Sequence, residues 1–459
     1  MEQAREKLSS RLGFILLSVG CAVGLGNVWR FPYITGENGG ALFLIIYLFF
    51  LVIFGLPVMV MEFSVGRASQ KSVAKAFRVL EPKGTKWHWF SYFAMVGNYI
   101  LMMFYTVIAG WMIQYLILMV RGSFENTTPQ QVKEIFSSVQ QDPVGAVVFM
   151  AVATLLGFGV CAMGLQRGVE KITKVMMSSL FVIMIILVVR SVTLPNAGEG
   201  VSFFLMPNLE SVRKIGIWKV ISDAMGQAFF TLSLGIGSMA IFGSYLGKEQ
   251  RLAGEAVSVT LLDTVVAIMA GLIIFPACAS FGVAADSGPS LVFVTLPNIF
   301  NSMPGGRVWG ALFFVFMCFA ALSTIIAVFE NIVSFGIDLF GWKRKKSVGI
   351  NLAAILILSV PCALGYSLLS GIQPLGPGSA ILDLEDFLVS NNLLPLGSMI
   401  FLFFCTWKCG WGYENMVEEA NCGKGLRFPK GKWLRLYITF GIPLLALVVF
   451  VQGYIEKFA

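Results

Sequence analysis

Eleven long apolar segments dominate this chain, and each is long enough to cross a lipid bilayer as a helix. A helix needs about 20 residues to span the hydrocarbon core of a membrane. The segments lie at about residues 12–34, 41–66, 89–120, 143–163, 168–190, 218–246, 253–283, 307–338, 348–368, 384–407 and 433–455. None of them alternates polar and apolar residues as the strands of a membrane barrel do. The sequence therefore predicts an all-α integral membrane protein with 11 spans.

The composition excludes a water-soluble protein of this size. Charged residues make up 13% of the 459 residues, whereas soluble domains carry about 25%. The net charge of +8 does not indicate a nucleic-acid partner, because the basic residues gather at the ends of the apolar segments. The longest loops between segments are too short for a soluble domain. We therefore expect one membrane domain over residues 1–459 with lipid as its surroundings.

The placement of Lys and Arg predicts the orientation in the membrane. With the N-terminus inside, 24 of the 33 Lys and Arg fall on inner segments and eight on outer ones, with Arg30 near the outer end of the first span. Such a bias sets topology, because loops rich in Lys and Arg stay in the cytoplasm. We predict a cytoplasmic N-terminus and, with an odd number of spans, an external C-terminus.

Glycine clusters interrupt two of the segments at mid-span. They are Gly20, Gly24 and Gly26 in the first segment, and Gly226, Gly235, Gly237 and Gly243 in the sixth. Each such glycine costs a helix about 1 kcal/mol relative to alanine. Close helix packing through small residues is the alternative explanation for either cluster alone. Because the two clusters open two sets of five segments, we favour broken helices in an inverted repeat, where freed carbonyls and helix ends bind ions and substrate.

Polar residues occur at the same depth as the glycine clusters. They are Asn27, Tyr105, Thr231, Ser233, Asp263, Ser323 and Thr324. A hydroxyl in a membrane helix often only bonds to its own backbone, so each Ser or Thr alone is weak evidence for a site. Asp263 is stronger evidence, because a carboxylate in mid-span is costly to bury.

An enzyme is not favoured, since the single histidine, His88, lies at a span edge, and no repeated filter indicates a channel.

Three motifs resemble the neurotransmitter:sodium symporter family over essentially the whole chain. They are RLGFILLSVGCAVGLGNVWRFP followed by ENGG, GLPVMVMEFSVGR, and GQAFFTLSLGIGS. The resemblance implies a LeuT-like fold with a 5+5 inverted repeat and broken helices 1 and 6. Repeat one would cover about residues 12–190, repeat two about 218–407, and one extra helix about 433–455. The 11 spans resemble a bacterial branch of the family, which implies the bacterial inner membrane.

The resemblance implies two sodium sites. One would use the carbonyl of Ala22, the side chains of Asn27, Thr231 and Asp263, and the substrate carboxylate. The other would use the carbonyls of Gly20, Val23 and Ala320 and the hydroxyls of Ser323 and Thr324. Oxygen ligands of this kind suit a hard cation. Chloride is not expected, because Asp263 stands where chloride-dependent relatives have a neutral Asn and can balance the charge itself.

The resemblance also implies a substrate site and two gates. The substrate site would comprise Cys21, Ala22, Gly24, Leu25, Gly26, Leu101, Tyr105, Phe230, Thr231, Ser233, Ile236, Thr324 and Val328. The outer gate would pair Arg30 with Asp386, and the inner gate would pair Arg5 with Asp338 beside Tyr245. The role of Glu62, which matches a family acid, is left open. Ser178 stands where many relatives have a proline that helps the fifth span to unwind, so the inner release route is also open.

The sequence thus predicts sodium-coupled symport of a neutral hydrophobic or aromatic amino acid by alternating access. Amine transporters of the family carry an acidic residue at the position of Gly24, and Gly24 offers no such charge. Ile236 and Cys21, which replace Phe and Asn of some relatives, leave the preferred amino acid open. Two alternatives remain: a transport-silent amino-acid receptor or sensor, and a sodium-coupled transporter of another small carboxylate or amine. The oligomeric state is not predicted.

Overall fold

The computed structural model describes residues 5–283 and 290–458, and this part of the chain is helical. In chain order its helices are α1 (Arg11–Ala22), α2 (Gly26–Glu37), α3 (Ala41–Ser69), α4 (Val73–Leu80), α5 (Trp87–Arg121), α6 (Pro129–Gln141), α7 (Pro143–Ala162), α8 (Leu165–Val192), α9 (Ala197–Leu205), α10 (Leu209–Ile215), α11 (Ile217–Thr231), α12 (Ser238–Tyr245), α13 (Leu252–Phe281), α14 (Leu291–Ser302), α15 (Gly306–Phe340), α16 (Arg344–Ala363), α17 (Ile381–Thr406), α18 (Tyr413–Ala420) and α19 (Lys432–Ile455). The predicted all-α class is confirmed.

Nine helices of the described residues are long and apolar enough to cross a membrane. They are α3, α5, α7, α8, α13, α15, α16, α17 and α19. The pair α1 and α2 makes a tenth span that bends by 57° at its break. The predicted sixth segment folds as two shorter helices, α11 and α12, which residues 232–237 separate. The predicted breaks in the first and sixth segments are therefore both present.

Most helix ends lie within three residues of the predicted segment ends, but the ninth segment and the external loops differ. Helix α16 ends at Ala363, five residues before the predicted end, and the chain continues in turns in which Gly365 N–H donates to the Cys362 carbonyl at 3.1 Å. The loops between the predicted segments contain short helices, including α6 and α14. Helix α6 begins with a reciprocal cap between Thr128 and Gln131, a local signal for a helix start.

The buried Arg67 connects the end of α3 to α18 and to the segment between α12 and α13. The Arg67 side chain is fully buried, and its Nε lies 2.6 Å from Glu419 Oε1 on α18. Its Nη1 donates to the Gln250 carbonyl at 2.7 Å, and its Nη2 donates to the Glu419 carbonyl. Because guanidinium has five fixed donors, one side chain ties together three pieces of chain that are distant in sequence.

Helices α3 and α12 approach so closely that their contact needs glycine on both sides. A Cβ on Gly66 would lie 2.7 Å from the carbonyl carbon of Ala240, and a Cβ on Gly243 would lie 2.8 Å from Phe63 Cα. Both neighbours are backbone atoms, which cannot rotate away as a side-chain end can. This contact fixes the position of α12, the second half of the broken sixth segment.

We predict that Gly66→Ala destabilises the protein. The added methyl group forces α3 and α12 apart, and overpacking of this kind costs about 1–3 kcal/mol. The matched control is Gly159→Ala on α7, where nothing lies within 4 Å of the added Cβ, so the higher helix propensity of alanine leaves stability equal or slightly raised. Thermal unfolding of both variants in detergent tests the prediction, and equal melting temperatures for the two variants would contradict it.

Candidate functional site

The break between α1 and α2 exposes backbone groups that side chains satisfy. Gly24 N–H donates to Asn27 Oδ1 at 3.2 Å, and Leu25 N–H donates to the Tyr105 hydroxyl at 3.2 Å. A Cβ on Gly24 would collide with that hydroxyl and lie 2.9 Å from Thr324 Oγ1. The absence of a side chain at Gly24 therefore lets α5 and α15 approach the broken backbone.

The second break, residues 232–237, turns through backbone conformations with positive φ. Ser233, Gly235 and Gly237 have φ of 51°, 103° and 74°. Glu62, which is fully buried on α3, accepts from Gly235 N–H at 2.5 Å and from Met239 N–H at 3.2 Å. A carboxylate that accepts two backbone N–H groups stabilises an interrupted helix inside a membrane, where no water can do so. This contact answers the question that the sequence left open about Glu62.

Asn27, Thr231 and Asp263 form one buried polar cluster between the two breaks. Asn27 Nδ2 donates to Asp263 Oδ1 at 2.9 Å and to Thr231 Oγ1 at 3.2 Å. Thr231 Oγ1 in turn donates to Asp263 Oδ2 at 3.0 Å. The three residues come from α2, α11 and α13, so the breaks and a third helix meet here. Their oxygens are hard donors of the type that sodium uses.

A second oxygen cluster lies where α15 meets the end of α1. Thr324 Oγ1 lies 3.2 Å from the Gly20 carbonyl oxygen, 3.1 Å from that of Val23 and 3.3 Å from that of Ala320. Ser323 Oγ donates to the Ala320 carbonyl at 2.9 Å. One hydroxyl has one hydrogen to donate, so with Ser323 bonded to Ala320, Thr324 can donate to only one of the carbonyls of Gly20 and Val23. This surplus of acceptor oxygen fits a cation.

Apolar residues lie next to the polar residues of the two clusters. Leu101 is one helical turn from Tyr105 on α5, and Val328 is one turn from Thr324 on α15, so each shares a helix face with a polar residue of the site. Phe230 packs against Gly26, where a Cβ would lie 2.7 Å from the ring. Ser233 Oγ lies 3.5 Å from the Cys21 carbonyl oxygen. The part of the Ala22 carbonyl in the site stays a prediction.

Two asparagines that the sequence analysis did not single out position Ile236. Asn98 Nδ2 donates to the Ile236 carbonyl at 2.9 Å, and Asn331 Nδ2 donates to Asn98 Oδ1 at 3.0 Å. Both asparagines are buried in long apolar helices. The signal that drew attention to Asp263, a polar side chain in mid-span, is also present at these two positions.

The predicted inner-gate residues lie together. Arg5 Nη1 lies 3.0 Å from Asp338 Oδ1, and its guanidinium lies 4.7 Å from the centre of the Tyr245 ring. Ser72 N–H also donates to Asp338 Oδ2 at 2.7 Å. Tyr245 donates to Glu330 Oε1 at 2.7 Å, and Glu330 pairs with Arg344 at 2.7 Å. The pair Glu330–Arg344 was not predicted.

Further contacts hold the chain just before α1 to the same end of the molecule. Buried Glu170, at the start of α8, accepts from Ser9 N–H at 2.7 Å and from Ser9 Oγ at 2.6 Å. Arg11 Nε lies 2.8 Å from Glu255 Oε1 on α13. Helix α8 runs from Leu165 to Val192 without a break, so the fifth span is helical throughout in this structure.

The predicted outer-gate residues are not paired. The Arg30 guanidinium lies 4.4 Å from the centre of the Phe230 ring, and Asp386 Oδ1 accepts from Ser390 Oγ at 2.7 Å. Among the described residues, neither Arg30 nor Asp386 forms an ion pair. The inner pair is thus closed while the outer residues remain apart.

Comparisons with known proteins agree with this architecture. The sequence model of the sodium:neurotransmitter symporter family matches residues 5–132 and 128–458. An uncharacterized sodium-dependent transporter of Bacillus subtilis, YhdH, is 35% identical over 98% of both chains, and one of Haemophilus influenzae is 31% identical over 98% of both. The crystal structure of MhsT in complex with L-phenylalanine matches this structure with a TM-score of 0.86. The match covers 98% of this chain and 100% of the MhsT chain, and the two sequences are 36% identical. The chain is a multi-pass membrane protein that belongs to the sodium:neurotransmitter symporter family.

Proposed function

We propose that this sodium-dependent transporter carries neutral hydrophobic or aromatic amino acids across the membrane together with sodium, by alternating access and without chloride. The observation that carries the proposal is the meeting of two interrupted helices at one buried place, with an oxygen cluster on either side. Backbone amides near Gly24 and the Tyr105 hydroxyl face the same place. An amino acid needs such an arrangement, because its two charged ends require opposite partners in a dry site.

Each oxygen cluster is proposed to bind one sodium ion as co-substrate. In the first, Asn27, Thr231 and Asp263 would be joined by the Ala22 carbonyl and by the carboxylate of the amino acid. In the second, the carbonyls of Gly20, Val23 and Ala320 would act with the hydroxyls of Ser323 and Thr324. Sharing a carboxylate between substrate and ion makes the affinity for one depend on the other, which is the thermodynamic basis of coupling.

The substrate class is argued from the charges of the site. Gly24 presents no acidic side chain to an amine, so a substrate without a carboxylate would leave the first cluster incomplete. Leu101, Ile236 and Val328 favour an apolar side chain. The presence of L-phenylalanine in the MhsT crystal supports an aromatic substrate for this chain as well.

The gates are proposed to close in alternation. Arg5 and Asp338 close the end that the Lys and Arg distribution assigns to the cytoplasm, and Arg30 would pair with Asp386 after substrate binds. The present contact of Arg30 with Phe230 leaves its guanidinium close to the site. A movement of the outer part of α17 would have to bring Asp386 to it.

Uptake into proteoliposomes tests the proposed function. An inward sodium gradient should accumulate radiolabelled L-phenylalanine, whereas an equal choline gradient should not. Unlabelled leucine, tryptophan or tyrosine should compete, and tyramine or tryptamine should not, because neither amine brings a carboxylate. Sodium-dependent binding without uptake would favour the receptor alternative, and transport of tyramine as fast as tyrosine would contradict the role of Gly24.

We predict that Ser323→Ala raises the sodium concentration needed for half-maximal amino-acid binding by about tenfold, because one ion ligand is lost. The relative affinities for different amino acids should change little. The matched control is Ser64→Ala on α3, whose buried hydroxyl donates to the Val60 carbonyl of its own helix at 2.7 Å. Scintillation proximity binding at varied sodium checks this, and an equal sodium requirement in both variants would count against the second cluster.

A third prediction concerns chloride. Two sodium ions and a zwitterion bring a net charge of +2 into the site, and ionised Asp263 offsets half of it. Wild-type uptake should therefore persist when gluconate replaces chloride, and Asp263→Asn should either abolish uptake or make it respond to chloride. Uptake by the wild type that collapses in gluconate, or a variant that behaves as the wild type in both anions, would refute this role of Asp263.

A further inference from the structure

A groove opens on the surface where α17 ends and α19 begins. Its volume is about 530 Å³, which is large enough for part of a lipid. The two helices reach the membrane boundary here, since α17 ends at Thr406 and α19 starts at Lys432. No part of the substrate site or of the gates lines this groove, so the proposed transport mechanism does not account for it.

One wall of the groove is apolar, and its side chains are exposed on the surface of the protein. Leu436 and Phe440 are one helical turn apart on α19, and both are exposed. Trp407 completes this wall from the other side of the groove and stacks on Phe403 with ring centres 4.4 Å apart. In a spanning helix these side chains lie beside lipid acyl chains, and tryptophan is typical of the interfacial depth.

The rim of the groove is basic. Lys408, Lys432 and Arg435 all line it. Arg435 lies 3.4 Å from Glu414 Oε1 and 5.4 Å from the centre of the Tyr413 ring. Lys408 and Lys432 are exposed, and neither forms an ion pair with any residue in the described part of the chain. Two positive charges are therefore left uncompensated beside an apolar wall.

We propose that this groove binds an anionic diacyl phospholipid. The phosphate group would lie between Lys408 and Lys432, and the acyl chains would run along Leu436 and Phe440. Basic residues at the end of a spanning helix attract anionic headgroups. A soluble anion would leave the apolar wall uncovered. A second copy of the chain meeting this face across a two-fold axis would place lysines against lysines.

Native mass spectrometry of the purified full chain tests the proposal. Wild-type protein would be exchanged with phosphatidylglycerol or with phosphatidylcholine of the same acyl chains. We expect the wild type to retain phosphatidylglycerol more tightly than phosphatidylcholine. The double variant Lys408→Gln, Lys432→Gln should bind phosphatidylglycerol about 25-fold more weakly. The control is Lys171→Gln with Lys174→Gln, which removes two exposed lysines of α8 outside the groove and should leave retention unchanged.

Three outcomes would overturn the proposal. Equal retention of the two lipids by the wild type would show that charge does not select the ligand. Equal loss of phosphatidylglycerol from the groove variant and from the control would show that exposed lysines attract the lipid wherever they lie. Displacement of the lipid by millimolar inorganic phosphate, or a dimer mass that the groove variant abolishes, would assign the groove to a soluble anion or to a second copy.

Discussion

Inside a bilayer every backbone N–H and C=O must find a partner within the protein, and this chain interrupts two helices where no water can serve. The structure meets that constraint with a few buried side chains. Tyr105 and Asn27 accept the amides of the first break, and Glu62 accepts those of the second. The polar interior thus satisfies the breaks, and the same groups form the place where we propose that sodium and an amino acid bind.

The donors and acceptors around the breaks are unequal in number. At the first break the amides find side-chain acceptors, but the carbonyls of Gly20, Val23 and Ala320 converge on Thr324, which has one hydrogen. In the other cluster, Asp263 brings two carboxylate oxygens to Asn27 and Thr231. The first of these places has more carbonyl oxygens than hydroxyl hydrogens, and the second holds a carboxylate whose charge no described ion pair balances. A bound cation would relieve this imbalance, which is why we propose these two places as the sodium sites.

Much of this could be predicted from the sequence because the signals are local. The length of the apolar segments predicted the spanning helices, and the glycine clusters around Gly24 and Gly235 predicted the breaks. The motif resemblance supplied residue sets such as Ser323 and Thr324, which apolar periodicity alone does not distinguish from ordinary helix hydroxyls. The contact between Asn98 and Asn331 joins residues 233 positions apart, and no local pattern encodes such a pairing. The short helix α14 was missed because its length is insufficient for a span.

The contacts of residues 5–11 have a consequence for the kinetics of the molecule. Arg5, Ser9 and Arg11 are bound by carboxylates on α15, α8 and α13. Helix α1 begins at Arg11, and carbonyls of one oxygen cluster lie at its other end. If the proposed transport cycle tilts α1 so that this end is uncovered, the anchors at Arg5, Ser9 and Arg11 would break in the same step. Concerted loss of several charge-assisted bonds gives a barrier that is mostly enthalpic. The rate of that step should therefore rise steeply with temperature, while equilibrium binding at the oxygen clusters changes far less.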